Sequence, residues 1–372
     1  MHSFTITRID IFKFSLPLIR PLRIAIGEFT HSDGILIRIW AGDQLYGLGE
    51  ASPAPFITGE TQATCFEAGR QLAPLLLGKD ALDIESRMRE LNAALVHHSS
   101  VKCAFDMALY DLAAKGLGLP LYAFLGGGRR DFYTDFTIGI DTPEAMAEAA
   151  AQLKASGAYA IKAKLGTTMA ADVARIRAIR AAIGDEMPLR IDANQGWDEA
   201  TAIATLRALE PFQIQYCEQP VVHWNLTALQ RVRSLSPIPI MADESLFDHH
   251  DAFRLASMGA CDYFNIKLGK AGGIHTARKI VAIAEAAGIP CMVGCFTETL
   301  LGISTGVHFV SAYPHIIFAD LDSLYFYADA PITGGALYDG AHAMPSDAPG
   351  HGADVKPEAL EQMEGVTIAG QG

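Results

Sequence analysis

The sequence predicts a parallel (β/α) barrel preceded by a separate α+β domain. Three observations carry that expectation. After position 130, short β-branched runs recur eight times at intervals of about 22 to 28 residues, with Ala- and Leu-rich helical stretches between them. Before position 126 the order differs, because strands come first and helices follow without alternation. Six of the eight later runs also carry a charged residue near the C-terminal end, which is where active sites of such barrels gather.

Taken in chain order, residues 3–14 (SFTITRIDIFKF) and 34–41 (GILIRIWA) alternate or run β-branched, as strands do, and GLGEASP (47–53) is expected as the turn after them. From 60 to about 118 the apolar residues fall three and four apart, as in helices. In SSVKCAFDMALYDLAAKGLGLP a Ser caps the start, Val101, Phe105, Ala108 and Leu112 form the stripe, and Gly116 and Pro120 stop the helix. The barrel strands are expected at 136–140, 160–166, 188–194, 214–220, 238–245, 263–269, 290–295 and 316–322. No GxGxxG follows an early strand, and the regular period favours a closed barrel over an open doubly wound sheet. The tail from about 343 is polar, rich in Pro and Gly, and expected to run back onto the first domain.

Composition narrows the function classes. The 372 residues are half apolar and 19% charged, enough for a large core and too apolar for disorder. A formal net charge of −13 without a basic patch repels phosphate backbones, so no nucleic-acid partner is expected. The opening MHSFTITRID lacks a basic and apolar leader, and no apolar run approaches the ~20 residues of a membrane span. The six cysteines form no CxxC pair and read as reduced, buried thiols of a cytoplasmic protein.

Parallel barrel strands are buried on both faces, so charges inside them need a reason. Lys164, Asp192, Glu218, Asp243 and Lys267 are 28, 26, 25 and 24 residues apart, one βα unit each time, and occupy equivalent places on five successive strands. Three neighbouring carboxylates, Asp192, Glu218 and Asp243, repel one another in a low-dielectric mouth unless a cation sits among them. Oxygen-only ligands suit Mg²⁺, with Mn²⁺ as the alternative; Zn²⁺ would recruit His or Cys. Lys162 and Lys164 share a face of their strand, and two neighbouring ammonium groups lower each other's pKa, which would suit Lys164 as a general base. Lys267 has three strands between it and Lys164 and so faces it across the pore. Two opposed lysines can take a proton from one face of a carbon and return it to the other.

KAKLG, RIDANQGW, CEQP, MADES and NIKLGKAGG, in that order and spacing, resemble the enolase superfamily and within it the muconate-lactonizing-enzyme-like subgroup. CAFDMALYDLAAKGLGLPLYAFLGG resembles the same subgroup. The resemblance implies a capping α+β domain (1–125), a (β/α)7β barrel (126–322) and a C-terminal segment (323–372) that returns to the cap. It implies Asp192, Glu218 and Asp243 as metal ligands and Lys164 and Lys267 as the acid/base pair, with Lys162 supporting the base and helping to neutralise a substrate carboxylate. Asn194 and Glu244 are expected to orient groups around the metal. The shared chemical step is proton abstraction next to a carboxylate, with an ene-diolate stabilised by the metal. An oligomer of identical chains is an expectation from the family alone.

The last strand bears on the reaction. Asp320 and Asp322 lie on one face of FADLDSL and offer a counter-charge to a substrate ammonium. This Asp-x-Asp resembles the signature of the dipeptide epimerases, which implies an isomerase interconverting L,L- and L,D-dipeptides at the C-terminal residue. The alternative on the same scaffold is a muconate cycloisomerase or an o-succinylbenzoate-synthase-like lyase, whose substrates carry no ammonium. A non-catalytic binder would have no use for two opposed lysines. Specificity is expected from loops near 19–31 and 52–60. In the L-Ala-D/L-Glu epimerases an Arg in the first loop pairs with the glutamate side chain, and alignment on PLRIAIG puts Ile26 there. Arg23 lies three residues earlier, within reach of a shifted loop. With Ile57, Phe29 and Phe56 nearby, an apolar second side chain is expected; Glu28 and Asp33 leave a cationic one open. Glu298 is expected to support the substrate carboxylate region. GGGRR (126–130) lacks the Lys-Ser/Thr of a phosphate loop and reads as a turn; His97–His98 and His249–His250 read as surface pairs.

Overall fold

A computed structural model describes residues 4–370, so position 3, the expected start of the first strand, lies outside them. The N-terminal sheet contains β1 (Ile6–Ile24), β2 (Gly27–Ala41) and β3 (Leu45–Ala51), all antiparallel. A C-terminal strand, Gly365–Ala369, pairs with β1 and completes the sheet. Helices α1 (Gln62–Leu72), α2 (Ile84–Ala94) and α3 (Ser99–Gly116) follow. α3 lies against β2 and β3 with nearly every side chain from Ser100 to Ala114 buried, so its apolar surface is wider than a stripe.

Two local expectations are corrected here. GLGEA is a strand and no turn, because Gly47 and Gly49 let β3 lie directly on the backbone of α3. A Cβ at either position would come within 2.0 Å of the Ala108 carbonyl or 1.9 Å of the Ala104 carbonyl. Nor does a Ser cap α3: the N-cap residue is His98, with no side-chain cap, and the buried Glu60 accepts from Ser100 N–H (2.9 Å) and Val101 N–H (3.4 Å) instead. The segment expected as a capping loop near 19–31 is the tip of the long β1–β2 hairpin, turning at Ala25–Ile26.

The barrel runs β4 (Phe136–Ile138), β5 (Ile161–Lys164), β6 (Leu189–Asp192), β7 (Ile214–Glu218), β8 (Ile240–Ala242), β9 (Tyr263–Lys267), β10 (Cys291–Gly294) and β11 (Ile316–Asp320), parallel and in sequence order. Between them lie α4 (Pro143–Ala155), α5 (Met169–Ile183), α6 (Glu199–Leu209), α7 (Leu226–Leu235), α8 (His249–Met258), α9 (Ile274–Ala287) and α10 (Leu300–Ala312). At the seam, β4 and β11 meet through Asp135 N–H to the Ala319 carbonyl (3.3 Å), while Thr137 N–H donates to the Asp322 carboxylate (2.7 Å). Tyr216, Met241 and Met292, with Tyr263 and Phe318, fill the barrel below the charged end. None of the described helices is long and apolar enough to cross a membrane, and all six cysteines are free and buried.

The cap sits on the barrel mouth. The hairpin tip is held by Ile140 N–H donating to the Arg23 carbonyl (2.9 Å), with Ala25 packed against Gly166. Ser32 Oγ donates to the Thr297 carbonyl (2.7 Å), and Glu50 accepts from Thr299 N–H (2.8 Å), Thr299 Oγ1 (2.6 Å) and Gly302 N–H (3.0 Å) at the start of α10. GGGRR is a turn at the junction, fixed by Arg130 donating to the carbonyls of Val310, Tyr313 and Ile316.

The glycine contact gives a stability expectation. Gly49→Ala should lower unfolding free energy by about 2–3 kcal/mol, because neither backbone can yield locally. Gly128→Ala, with open space around its Cβ, should change it by less than about 0.5 kcal/mol. Urea denaturation of the two variants checks the difference; equal midpoints would refute the β3–α3 packing argument.

Candidate active site

Ladder register brings the charges into line. Lys164 pairs with Asp192 and Asp192 with Glu218 across β5, β6 and β7; Asp243 follows β8, and Lys267 and Asp320 end β9 and β11. Each is less than a tenth exposed, so their charges meet one another and not water. One oxygen each from Asp192, Glu218 and Asp243 lies within 4.8 Å of the others.

Lys162 is the hub beneath them. Its ammonium reaches Asp320 (2.6 Å), Glu218 (2.7 Å) and Asp192 (3.3 Å). Lys164 holds Asp192 at 2.6 Å, and Lys267 holds Asp243 at 3.0 Å, so the two lysines stand at opposite ends of the carboxylate triad. The expected mutual lowering of the lysine pKa values does not hold for Lys162. Burial pushes it down, but Asp320, Glu218 and Asp192 outweigh that and raise it well above its ordinary value. Lys267 is raised too, burial being overcome by Asp243 and Glu218. Among the carboxyls, burial and then Asp192 push Glu218 up to about 8, whereas Asp243 is drawn down against its burial by Lys267 and Lys270.

The donor set fits a hard dication. Glu218 Oε2 and Asp243 Oδ2 are buried and accept no well-aligned hydrogen bond, with Lys162 at 2.7 Å from the first and Lys267 at 3.0 Å from the second. Glu244 Oε2 and Asn194 Oδ1 accept no hydrogen bond, and Asn194 Nδ2 donates to Glu244 Oε1 at 3.1 Å. Burial and Asp243 push Glu244 up to about 7. Three carboxylates converging at the mouth of one barrel, with the buried Glu244 Oε2 and Asn194 Oδ1 accepting no hydrogen bond beside them, suit an oxygen-seeking cation such as Mg²⁺ or Mn²⁺.

Sequence reasoning missed three residues that hold this set. Lys270 donates to the Asp243 carboxylate and carbonyl and to the Asn265 carbonyl (3.2 Å). Asn265 Nδ2 donates to Glu218 Oε1 (2.7 Å); it lies two residues before Lys267, so strand alternation marks it as inward-facing. Gln219 Oε1 accepts from Asp243 N–H (2.9 Å) and Ser245 N–H (3.1 Å), clamping the ends of β7 and β8 together. Gln219 and Asn194 have φ of 33° and 38°, so backbone strain is stored beside the ligand residues Glu218 and Asp192.

The remaining expected residues fall in two groups. Asp320 accepts from Lys162 and from Thr137 Oγ1 (3.4 Å), and Asp322 from Thr137 N–H, so both carboxyls sit at the mouth. Burial and Asp320 push Asp322 up to about 7. Glu298 is buried, accepts from Phe296 N–H (2.5 Å), and is pushed up to about 7 by burial and Glu50. Ile26 is half-buried at the hairpin tip, and Ile57 is half-buried in the 52–60 loop; the hairpin and this loop meet where Phe29 and Phe56 pack edge to face at 5.8 Å. Arg23 turns outward to Glu28, its register partner in the hairpin, and Asp33 accepts from Ser15 Oγ (2.6 Å). Cys295 is buried with its thiol pushed well above the ordinary range by burial, so it is inert.

Residues 7–126 match the family described as "Mandelate racemase / muconate lactonizing enzyme, N-terminal domain", and residues 145–359 match "Enolase C-terminal domain-like". The D-Ala-D/L-Ala epimerase of Cytophaga hutchinsonii is 43% identical over 98% of this chain and 99% of its own. The hydrophobic dipeptide epimerase of Enterococcus faecalis is 41% identical over 84% of this chain and 88% of its own. A crystal structure of the Cytophaga hutchinsonii dipeptide epimerase, complexed with Mg and D-Ala-L-Val, superposes with a TM-score of 0.96 at 42% identity, covering 98% of this chain and all of that one. Fold, carboxylate triad and full-length similarity agree: the chain belongs to the mandelate racemase/muconate lactonizing enzyme family of the enolase superfamily.

Proposed function

We propose that the protein is a Mg²⁺-dependent dipeptide epimerase, which inverts the α-carbon of the C-terminal residue and favours an apolar side chain there. The observation that carries this reading is the placement of Lys164 and Lys267 at opposite ends of the Asp192–Glu218–Asp243 triad. Asp192, Glu218 and Asp243 would hold Mg²⁺, which would supply positive charge to offset the negative charge that grows as the α-proton leaves. One lysine takes the proton from one face and the other returns a proton to the opposite face. Lys162, fixed among three carboxylates, keeps the floor of the site charged and in place.

Asp320 and Asp322 take the substrate ammonium in this reading. Burial and then its neighbour Asp320 hold Asp322 up, and a cation between the two carboxyls relieves their repulsion. The second side chain meets the hairpin tip at Ile26 and the loop at Ile57, with Phe29 and Phe56 behind them. Arg23 and Glu28 pair with each other on the outside of the hairpin. Relatives that act on hydrophobic dipeptides and bind D-Ala-L-Val support the same preference. Six buried free thiols suit a reducing, cytoplasmic compartment.

Pooled L-Xaa-L-Yaa dipeptides incubated with the protein and Mg²⁺ in D₂O should gain one mass unit, chiefly where Yaa is apolar, and EDTA should abolish the gain. If no dipeptide exchanges although Mg²⁺ is bound, the cycloisomerase or lyase alternative replaces this reading.

Lys164→Ala and Lys267→Ala should each lower epimerisation by more than about 1,000-fold. Each should retain some α-proton exchange with only one of the two stereoisomers, and the two variants should retain it with opposite ones. Undiminished epimerisation in either variant would exclude two-base transfer.

Ile26→Arg should shift the preference towards an acidic second residue, by about tenfold in kcat/KM for L-Ala-L-Glu relative to L-Ala-L-Val. An unchanged ratio would remove position 26 from the specificity determinants.

A further inference from the structure

Six of the seven barrel helices are capped by a side chain at their own N-terminus. Thr142, Thr168, Asp198, Asn225, Asp248 and Thr299 each accept a backbone N–H of the helix they start. The exception is α9, which begins at Gly273 with no side-chain cap of its own. Its first N–H groups are met from the other domain: Asp106 of α3 accepts from Ile274 N–H (2.5 Å) and His275 N–H (3.1 Å). Asp106 is fully buried. Gly273, at a φ of 113°, makes the approach possible, since a Cβ there would lie 2.3 Å from the Asp106 side chain.

The helix treated in this way is the one that follows Lys267. From Lys267 the chain makes a single helical turn, Leu268–Ala271, closes it with Gly273 N–H to the Leu268 carbonyl (3.0 Å), and enters α9. Lys270, within that turn, is tied to Asp243. The segment is therefore fixed at three points: by the β9 ladder at one end, by Asp243 in the middle, and by Asp106 at the other end.

From this arrangement we infer that Asp106 is a positioning residue for Lys267: a buried carboxylate of the capping domain fixes the segment that follows one of the two proton-transferring lysines. The loop after Lys164 touches the cap only by packing, Ala25 against Gly166, and takes its hydrogen bonds from the barrel's own Asp172, which accepts from Gly166 N–H (3.2 Å) and Thr167 N–H (2.9 Å). The inference rests on the epimerase reading for its kinetic consequence. Misplacement of a reacting group by about 1 Å costs on the order of 100-fold in rate, so loosening Asp106 should affect the two faces of the substrate unequally.

The test uses the full-length, Mg²⁺-loaded protein and measures α-proton exchange in D₂O from the L,L- and the L,D-dipeptide separately. The face belonging to Lys267 is identified with Lys267→Ala. Asp106→Ala should lower exchange on that face by about tenfold or more and change the Lys164 face by less than about threefold. Asp106→Asn, which keeps one acceptor, should fall between the variant and the parent, and it carries the comparison if the alanine variant does not fold. Asp111→Asn is the control: Asp111 is a buried carboxylate of the same helix that accepts from Leu48 N–H and His351 N–H. It should lower thermal stability and move both faces together. Equal loss on both faces in the Asp106 variants at saturating Mg²⁺, or no loss on either, overturns the inference. Backbone amide exchange by mass spectrometry gives a second readout that needs no turnover. Residues 268–277 should exchange faster in Asp106→Asn while 161–166 do not, and unchanged protection at 268–277 overturns the inference even if the protein proves to act on another substrate. Failure of the parent protein to exchange any dipeptide would count against the epimerase reading alone.

Discussion

Everything at the barrel mouth depends on opposite charges being confined where water cannot reach them. Lys162 touches Asp320, Glu218 and Asp192, Lys164 takes Asp192, and Lys267 and Lys270 share Asp243. Below this layer, Tyr216, Met241, Met292, Tyr263 and Phe318 shut the interior. An isolated buried charge would neutralise itself, and removing one partner of a buried pair costs about 3–5 kcal/mol. The members therefore hold one another in place, with an oxygen of each triad carboxylate within 4.8 Å of the others.

That confinement requires rigid walls, and the two domains build them together. Glu50 and Asp106, both from the cap, accept the leading N–H groups of α10 and α9, which follow β10 and β9. Burial pushes the pKa of each carboxyl up, and the helix N–H groups that it accepts from oppose that shift. The hairpin adds Ile140 N–H to Arg23 carbonyl, at the loop after the first barrel strand. In the proposed reading chemistry belongs to the barrel and side-chain recognition to the cap, and the carboxyl caps tie the two together.

Much of this was legible in the sequence, for reasons of period. The barrel strands recur at one βα unit, so a charge at the end of one predicts the place of the next, and Lys164, Asp192, Glu218, Asp243 and Lys267 could be aligned without coordinates. What escaped depends on contacts between distant segments. Gly47 and Gly49 read as turn residues because nothing local says that a helix backbone sixty residues later presses against them. Glu60 capping α3, and Asp106 capping α9, are tertiary substitutes for local caps, invisible to any rule on neighbouring residues. Arg23 was weighed as a substrate ligand from its distance in sequence to Ile26. Pairing across the hairpin gives it to Glu28 instead. Lys270 and Gln219 stood beside recognised residues, but their roles come from reaching the neighbouring strand end, which spacing does not reveal.

The seam between β4 and β11 has a consequence for the carboxyl pair beside it. In an unbroken ladder the amide of Thr137 would be consumed by a carbonyl of the adjacent strand. Here the pairing gives out after Asp135 and Ala319, and the liberated amide binds Asp322 at 2.7 Å, just past the end of β11. A place where the cylinder fails to close its main-chain bonding thus gains a fixed donor. An imperfection in the wall becomes the mount for a side chain, and a perfectly stitched barrel would have left that carboxyl to find its own direction.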